Sequence, residues 1–103
     1  RPTVAVVGDL YTILASGEET NGAYCVVDAV IPPGNGPPPH IHGREDEAFY
    51  ILEGQITFPA EGKAIVAGPG HWVHARRGIA HRFRNESNTP AHMLIFAFPA
   101  GIE

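Results

Sequence analysis

The sequence predicts an all-β domain folded as a small sandwich or barrel. Helix signals are nearly missing, and ten prolines and twelve glycines cut the chain into short pieces. The pieces between them are rich in β-branched and aromatic residues, which suit strands. In chain order, strands are expected at Val4–Val7 and Leu10–Ala15, closed by the Gly17 to Gly22 turn. Ala23–Ile31 follows and runs into the proline-rich stretch Pro32 to Pro39. Ala48–Glu53 and Gln55–Pro59 flank the turn at Glu53-Gly54, and Lys63–Val66 follows the turn at Glu61-Gly62. Trp72–Ala75 follows Gly68-Pro69-Gly70, His81–Asn85 follows Gly78, and Ala91–Phe98 follows the Ser87 to Pro90 turn. Several short strands at this spacing fit a sandwich or barrel. With 103 residues, no internal repeat and no linker, residues 1–103 read as one domain.

Charge narrows the partners. Seven basic against eleven acidic residues give a formal charge of −4, which argues against a nucleic acid or an anionic membrane. The apolar run Met93 to Phe98 is far too short to span a bilayer. No charged leader followed by an apolar stretch opens the chain. The lone Cys25 lies in an apolar strand-like run, where a buried inert thiol is expected, and it fits a reducing compartment. A cytoplasmic protein with a small-molecule substrate is the expectation.

His40 and His42 are two apart, so in an extended strand they point to one face. Glu47 can reach the same point if Gly43 to Asp46 form a turn or bulge, and His81 must come from a distant strand folded back over the first. Three imidazoles and a carboxylate suit one divalent transition metal ion, Fe, Ni, Mn, Co, Cu or Zn. Read as polar residues at strand ends, the same four would need no role. The stretch Pro32 to Pro39 can be a rigid connector and also a stiff approach that presents His40 at low entropic cost.

The pattern resembles the two motifs of the cupin superfamily. The first, Gly, five residues, His-X-His, three or four residues, Glu, six residues, Gly, is met by Gly34, His40, His42, Glu47 and Gly54. The second is met by Gly70, Gly78, His81 and Asn85, with Arg76 in place of the expected proline. The run Arg44 to Gly54 and the tail Phe98-Pro99-Ala100-Gly101 are similar to single-domain cupins of the quercetin-dioxygenase-like kind. This resemblance implies a small double-stranded β-helix (jelly-roll) barrel with His40, His42, Glu47 and His81 as the metal ligands. Gly54 and Gly78 would then permit turns, and Asn85 would hold strand or loop geometry rather than touch substrate.

Alternation from Glu47 puts Phe49 and Ile51 on the inner face, and from His81 it puts Phe83 and Asn85 there, with Arg82 and Arg84 outward. Met93, Ile95 and Ala97 share one face of their strand. Phe49, Ile51, Phe83 and, more remotely, His74 are the candidate substrate-pocket residues; the plain alternative is that they fill a narrow barrel. His92 reads as a surface or rim residue, His74 as a rim residue or a substrate contact, and Arg76-Arg77 as a solvated strand end or an anion contact. The resemblance implies a metal-dependent dioxygenase of quercetinase type for a small enolic or phenolic, flavonol-like substrate, with Glu47 as both ligand and base. A non-oxidative isomerase, lyase or cyclase and a metal-bound small-molecule binding protein are the competing readings. Val4–Val7 and Ala91–Phe98 are apolar and are expected at sheet edges, where a homodimer would cover them.

Overall fold

The computed structural model describes residues 3–6, 8–36, 40–41, 46–60, 63–75, 80–81 and 83–99. Ten strands lie among these: β1 Thr3–Val6, β2 Asp9–Ala15, β3 Cys25–Ile31, β4 His40–Ile41, β5 Asp46–Glu53, β6 Ile56–Ala60, β7 Lys63–Ala67, β8 Trp72–Ala75, β9 Ala80–His81 and β10 Ala91–Phe98. No helix among the described residues is long and apolar enough to cross a membrane.

Six strands form one sheet in the order β1-β2-β3-β10-β5-β8, and two pairs, β4-β9 and β6-β7, complete the architecture. Every pairing is antiparallel. The period-two side-chain rule sorts the sheet into two faces. In β3, Cys25, Val27, Ala29 and Ile31 are buried; in β10, Ala91, Met93, Ile95 and Ala97 are; in β5, Glu47, Phe49 and Ile51 are. Ile56, Phe58 and Ala67 from the β6-β7 hairpin close over this inner face and join its core. Gly54 makes the turn that feeds that hairpin. Its φ is +78°, and a Cβ there would stand 2.6 Å from the Pro90 carbonyl oxygen, so only glycine fits.

Three expectations are corrected. Ala91–Phe98 is not an edge strand: β10 pairs with β3 on one side and β5 on the other, in the middle of the large sheet. Its backbone groups are therefore paired on both sides. The segment expected as one strand over His81–Asn85 changes partner along its length. His81 pairs with β4, Arg84 bridges to Thr57 of β6, and Asn85 bonds to the loop at Gly34 and Asn35. The strand expected from Ala23 begins at Cys25; the Thr20 hydroxyl donates to the Tyr24 carbonyl and holds the preceding turn out of the sheet. The turns expected at Glu61-Gly62 and Gly78 lie outside the described residues.

Candidate metal centre

The β4-β9 ladder sets His40 directly opposite His81 and Ile41 opposite Ala80. Cross-strand partners share one face of an antiparallel ladder, so the histidine positions of the two distant motifs are neighbours. The side chains of His40 and His81, and all of His42, lie outside the described residues, as do Gly43 to Glu45, Arg76, Arg77 and Arg82.

The segments that lead into β4 and out of β9 are also tied to each other. The Gly34 N–H donates to the Asn85 carbonyl at 2.6 Å, and the Asn85 N–H donates to the Asn35 carbonyl at 2.8 Å. The Arg84 guanidinium donates to the Gly34 carbonyl at 2.6 Å. Between these bonds, Gly36 passes so close to the facing chain that a Cβ would lie 2.0 Å from the Phe83 carbonyl oxygen. Asn85 is fully buried. Its amide donates to the carbonyls of Ile31 at 2.9 Å and Thr89 at 2.7 Å, and its oxygen accepts from the Ser87 N–H at 3.0 Å and the Ser87 hydroxyl at 2.6 Å. A buried amide is affordable only when so satisfied. Asn85 thus fixes loop geometry, as the resemblance implied. The contact at Gly36 went unseen, because nothing in a Pro-Gly-rich run marks which glycine faces a carbonyl.

Glu47 is 5% exposed on the inner face of β5, between its ladder partners Ala97 and Ala75. Cys25 stands on the far side of Ala97, so small side chains flank the carboxylate along that row. In the next row inward, the bulkier Val27, Ile95, Phe49 and Val73 face one another. A buried carboxylate within a row of small residues suits the fourth position of a His-and-carboxylate donor set, and such a set suits a borderline divalent transition metal. Among the described residues, no group of three or more His, Cys, Asp or Glu is assembled; Glu47 alone of the four predicted ligands has its side chain among them.

The remaining histidines have structural partners. His74 lies on the outer face of β8, 49% exposed, with its Nε2 3.8 Å from Asp46. It is therefore on the opposite side of the sheet from Glu47, and the structure does not bring the two together. The His71 Nδ1 accepts from the Gly68 N–H at 2.7 Å and shapes a turn. The His92 Nε2 sits 2.8 Å from Asp28 across β3 and β10. Phe49 and Phe83 pack with Phe58, their ring centroids 5.0 to 6.2 Å apart, in arrangements favoured by aromatic quadrupoles. All three belong to the core cluster, as does Ile51. Phe58 was not among the candidates: its strand was legible, but not the fold of its hairpin over Phe49.

Residues 27–97 match the family model described as a cupin domain. The chain belongs to the cupin family. Its all-β double-stranded β-helix is the fold that family implies. The cupin is 34% identical to quercetin 2,3-dioxygenase of Bacillus subtilis over 84 residues, which is 81% of this chain and 25% of that protein. The cupin spans between 25% and 59% of the curated relatives it matches. Among solved structures, a predicted oxalate decarboxylase from Thermotoga maritima is 26% identical with a TM-score of 0.82, covering 95% of this chain and 90% of the other. KdgF from Halomonas sp. superimposes with a TM-score of 0.85 over 98% of this chain and 90% of its own, at 20% identity, and so speaks for the fold alone.

Proposed function

We propose that this cupin is a metal-dependent dioxygenase acting on a small enolic or phenolic, flavonol-like substrate. One divalent transition metal per chain would be held by His40, His42, Glu47 and His81. The observation that carries the reading is the buried Glu47 carboxylate between Ala97 and Ala75, in a chain whose ladder sets His40 against His81. The likeness to quercetin 2,3-dioxygenase supports the oxidative form. The ion would supply Lewis acidity that lowers the pKa of a substrate hydroxyl. Glu47 would accept that hydroxyl's proton on a carboxylate oxygen and hold it beside the reacting centre. Phe49, two residues on and on the same face, would exclude water behind the carboxylate together with Phe83 and Ile51. The single buried thiol of Cys25 suits a reducing, cytoplasmic setting.

Metal content measured by mass spectrometry, wild type beside His81→Ala, tests the site. Stoichiometric metal that is lost in the variant is the expected result, and oxygen-uptake assays with flavonols then test the reaction. Glu47→Gln that keeps both metal and full turnover would sink the base role. A chain that binds no metal after reconstitution would overturn the enzyme reading.

A second reading is a non-oxidative cupin (isomerase, lyase or cyclase) or a metal-bound small-molecule binding protein. The Thermotoga maritima neighbour, described as a decarboxylase, favours it, because one fold hosts several chemistries. Turnover supported by zinc without oxygen consumption would select the Lewis-acid enzyme. A ligand that stabilises the chain without being converted would select the binding protein.

A further inference from the structure

Two Asn-Gly pairs stand in the chain, Asn21-Gly22 and Asn35-Gly36, and the proposed reaction uses neither. Asparagine before glycine is prone to lose its side-chain amide, because glycine puts no side chain in the way of ring closure and leaves the backbone free to turn. The fold demands each pair for a different reason. Asn21 and Gly22 are the central residues of a tight turn, with φ of +58° and +82°, closed by the Ala23 N–H donating to the Thr20 carbonyl at 3.3 Å. Both central residues of such a turn need positive φ, which Asn-Gly supplies. Gly36 is needed for its missing side chain, since a Cβ would run into the Phe83 carbonyl oxygen.

The surroundings of the two pairs are opposite. Asn21 and Gly22 are exposed, and nothing lies within 4 Å of the place a Gly22 side chain would take. The bonds of this turn, the Gly22 N–H to the Gly17 carbonyl at 2.7 Å among them, join exposed or half-buried residues, and such bonds open at low cost. Asn35 is clamped. Its N–H donates to the Pro32 carbonyl at 3.1 Å, and its carbonyl accepts from the N–H of the fully buried Asn85 at 2.8 Å. Its side-chain nitrogen lies 2.8 Å from where a Gly8 Cβ would stand, and Gly36 is wedged against the backbone of Phe83 and Arg84. Ring closure at Asn35 needs rotation about its Cα–C bond, which swings the carbonyl away from Asn85 and moves Gly36 against that backbone.

We infer that Asn21 is a site of spontaneous deamidation and that the fold withholds the same chemistry from Asn35. The Gly22 backbone nitrogen attacks Asn21 Cγ and a C–N bond forms. The side-chain nitrogen leaves as ammonia, carrying the proton that the backbone nitrogen gives up. Water then opens the five-membered imide at either carbonyl, to aspartate or isoaspartate, and nothing is oxidised or reduced. The product adds one negative charge beside Glu18 and Glu19, in a chain whose formal charge is −4. At Asn35 an isoaspartyl link would instead put one more carbon into the main chain of the segment that leads into β4, and the clamp prevents this.

Peptide mapping by mass spectrometry reads both sites in one sample of the full chain aged in mildly alkaline buffer. The same chain unfolded in urea gives each pair its rate without the fold. In the folded chain Asn21 is expected to convert faster than Asn35 by on the order of 30-fold, the factor for opening two backbone hydrogen bonds. In urea the two rates should agree within about threefold. Equal rates in the folded chain would overturn the proposal, because Asn35 would then be unguarded. So would a folded chain whose Asn21 keeps its amide while the unfolded chain loses it. An Asn35 that stays slow in urea would assign its protection to the neighbouring sequence and overturn the role of the fold.

Discussion

Removing the Asn85 side chain should cost about as much as removing a large core residue. In Asn85→Ala, four hydrogen bonds go, but not all leave an orphan. The Thr89 carbonyl keeps the Ser87 hydroxyl at 3.0 Å. The Ile31 carbonyl, on a residue with no exposure, is left without its amide donor, worth about 1–3 kcal/mol. The Ser87 N–H loses its acceptor, about 1 kcal/mol, and the small void adds about 1 kcal/mol. The total is about 3–5 kcal/mol. With a urea slope near 1.5 kcal/mol/M, the midpoint should fall by about 2–3 M with the slope unchanged. Asn85→Asp sharpens the test. It sets a buried carboxylate against two carbonyl oxygens, so its pKa rises in the fold and the folded state binds the extra proton. The deficit should therefore shrink as pH falls towards the ordinary carboxylate range. A midpoint within about 0.3 M of wild type for Asn85→Ala, or a pH-independent deficit for Asn85→Asp, would refute the reasoning.

Gly36→Ala is expected to cost about 2–3 kcal/mol, since its Cβ meets backbone at the Phe83 carbonyl and the Arg84 Cα rather than a flexible side chain; urea denaturation reads it. Phe58→Ala should lose about 3–5 kcal/mol by opening the three-ring cluster, whereas Val66→Ala on the other face of the same hairpin, opposite Thr57, should stay within about 0.5 kcal/mol. Alkaline pH should destabilise the fold through Tyr11. Burial first, then its 2.8 Å hydrogen bond to Asp9 and that carboxylate's charge, keep its hydroxyl protonated to higher pH than the ordinary value. Above about pH 10 the unfolded chain releases that proton and the fold does not, so stability falls as pH rises. Stability measured from pH 8 to 11 should show this decline, and Tyr11→Phe should flatten it.

What was legible in the sequence was what has a period. Alternation identified Phe49, Ile51, Phe83 and Asn85 as inward positions and put Met93, Ile95 and Ala97 together on one face of their strand, and all seven are buried. Strand order has no local signature. Ala91–Phe98 is apolar on both faces, which fits an uncovered edge as well as a central strand, and only the long-range ladders to β3 and β5 decide between them. The candidate site divides in the same way. The spacing of His40, Glu47 and His81 was readable, while the packing of Phe58 on Phe49 and the bonds from Asn85 to Gly34 join residues far apart in sequence.

The motif spacing nevertheless encodes a geometry that the ladders expose. With His40 opposite His81, an uninterrupted antiparallel register would carry position 34 opposite position 87. Instead, the Gly34 N–H bonds to Asn85 and Gly36 meets Phe83. The two registers differ by two residues: Gly36 and His40 are four positions apart in sequence, whereas their partners Phe83 and His81 are two apart. Because the strand period is two, a slip of two keeps His40 on its face, whereas a slip of one turns it over. Deleting Pro38 should therefore leave the Asn85 anchor and the core intact while setting His40 on the wrong face. Metal affinity measured by competition with a chelator should fall by on the order of 100-fold, the upper range for disturbing a ligand's support, with the urea midpoint of the metal-free chain unchanged. Deleting both Pro37 and Pro38 should restore the face and recover part of the affinity. Equal losses in the two deletions would show that length, not parity, sets the position of His40.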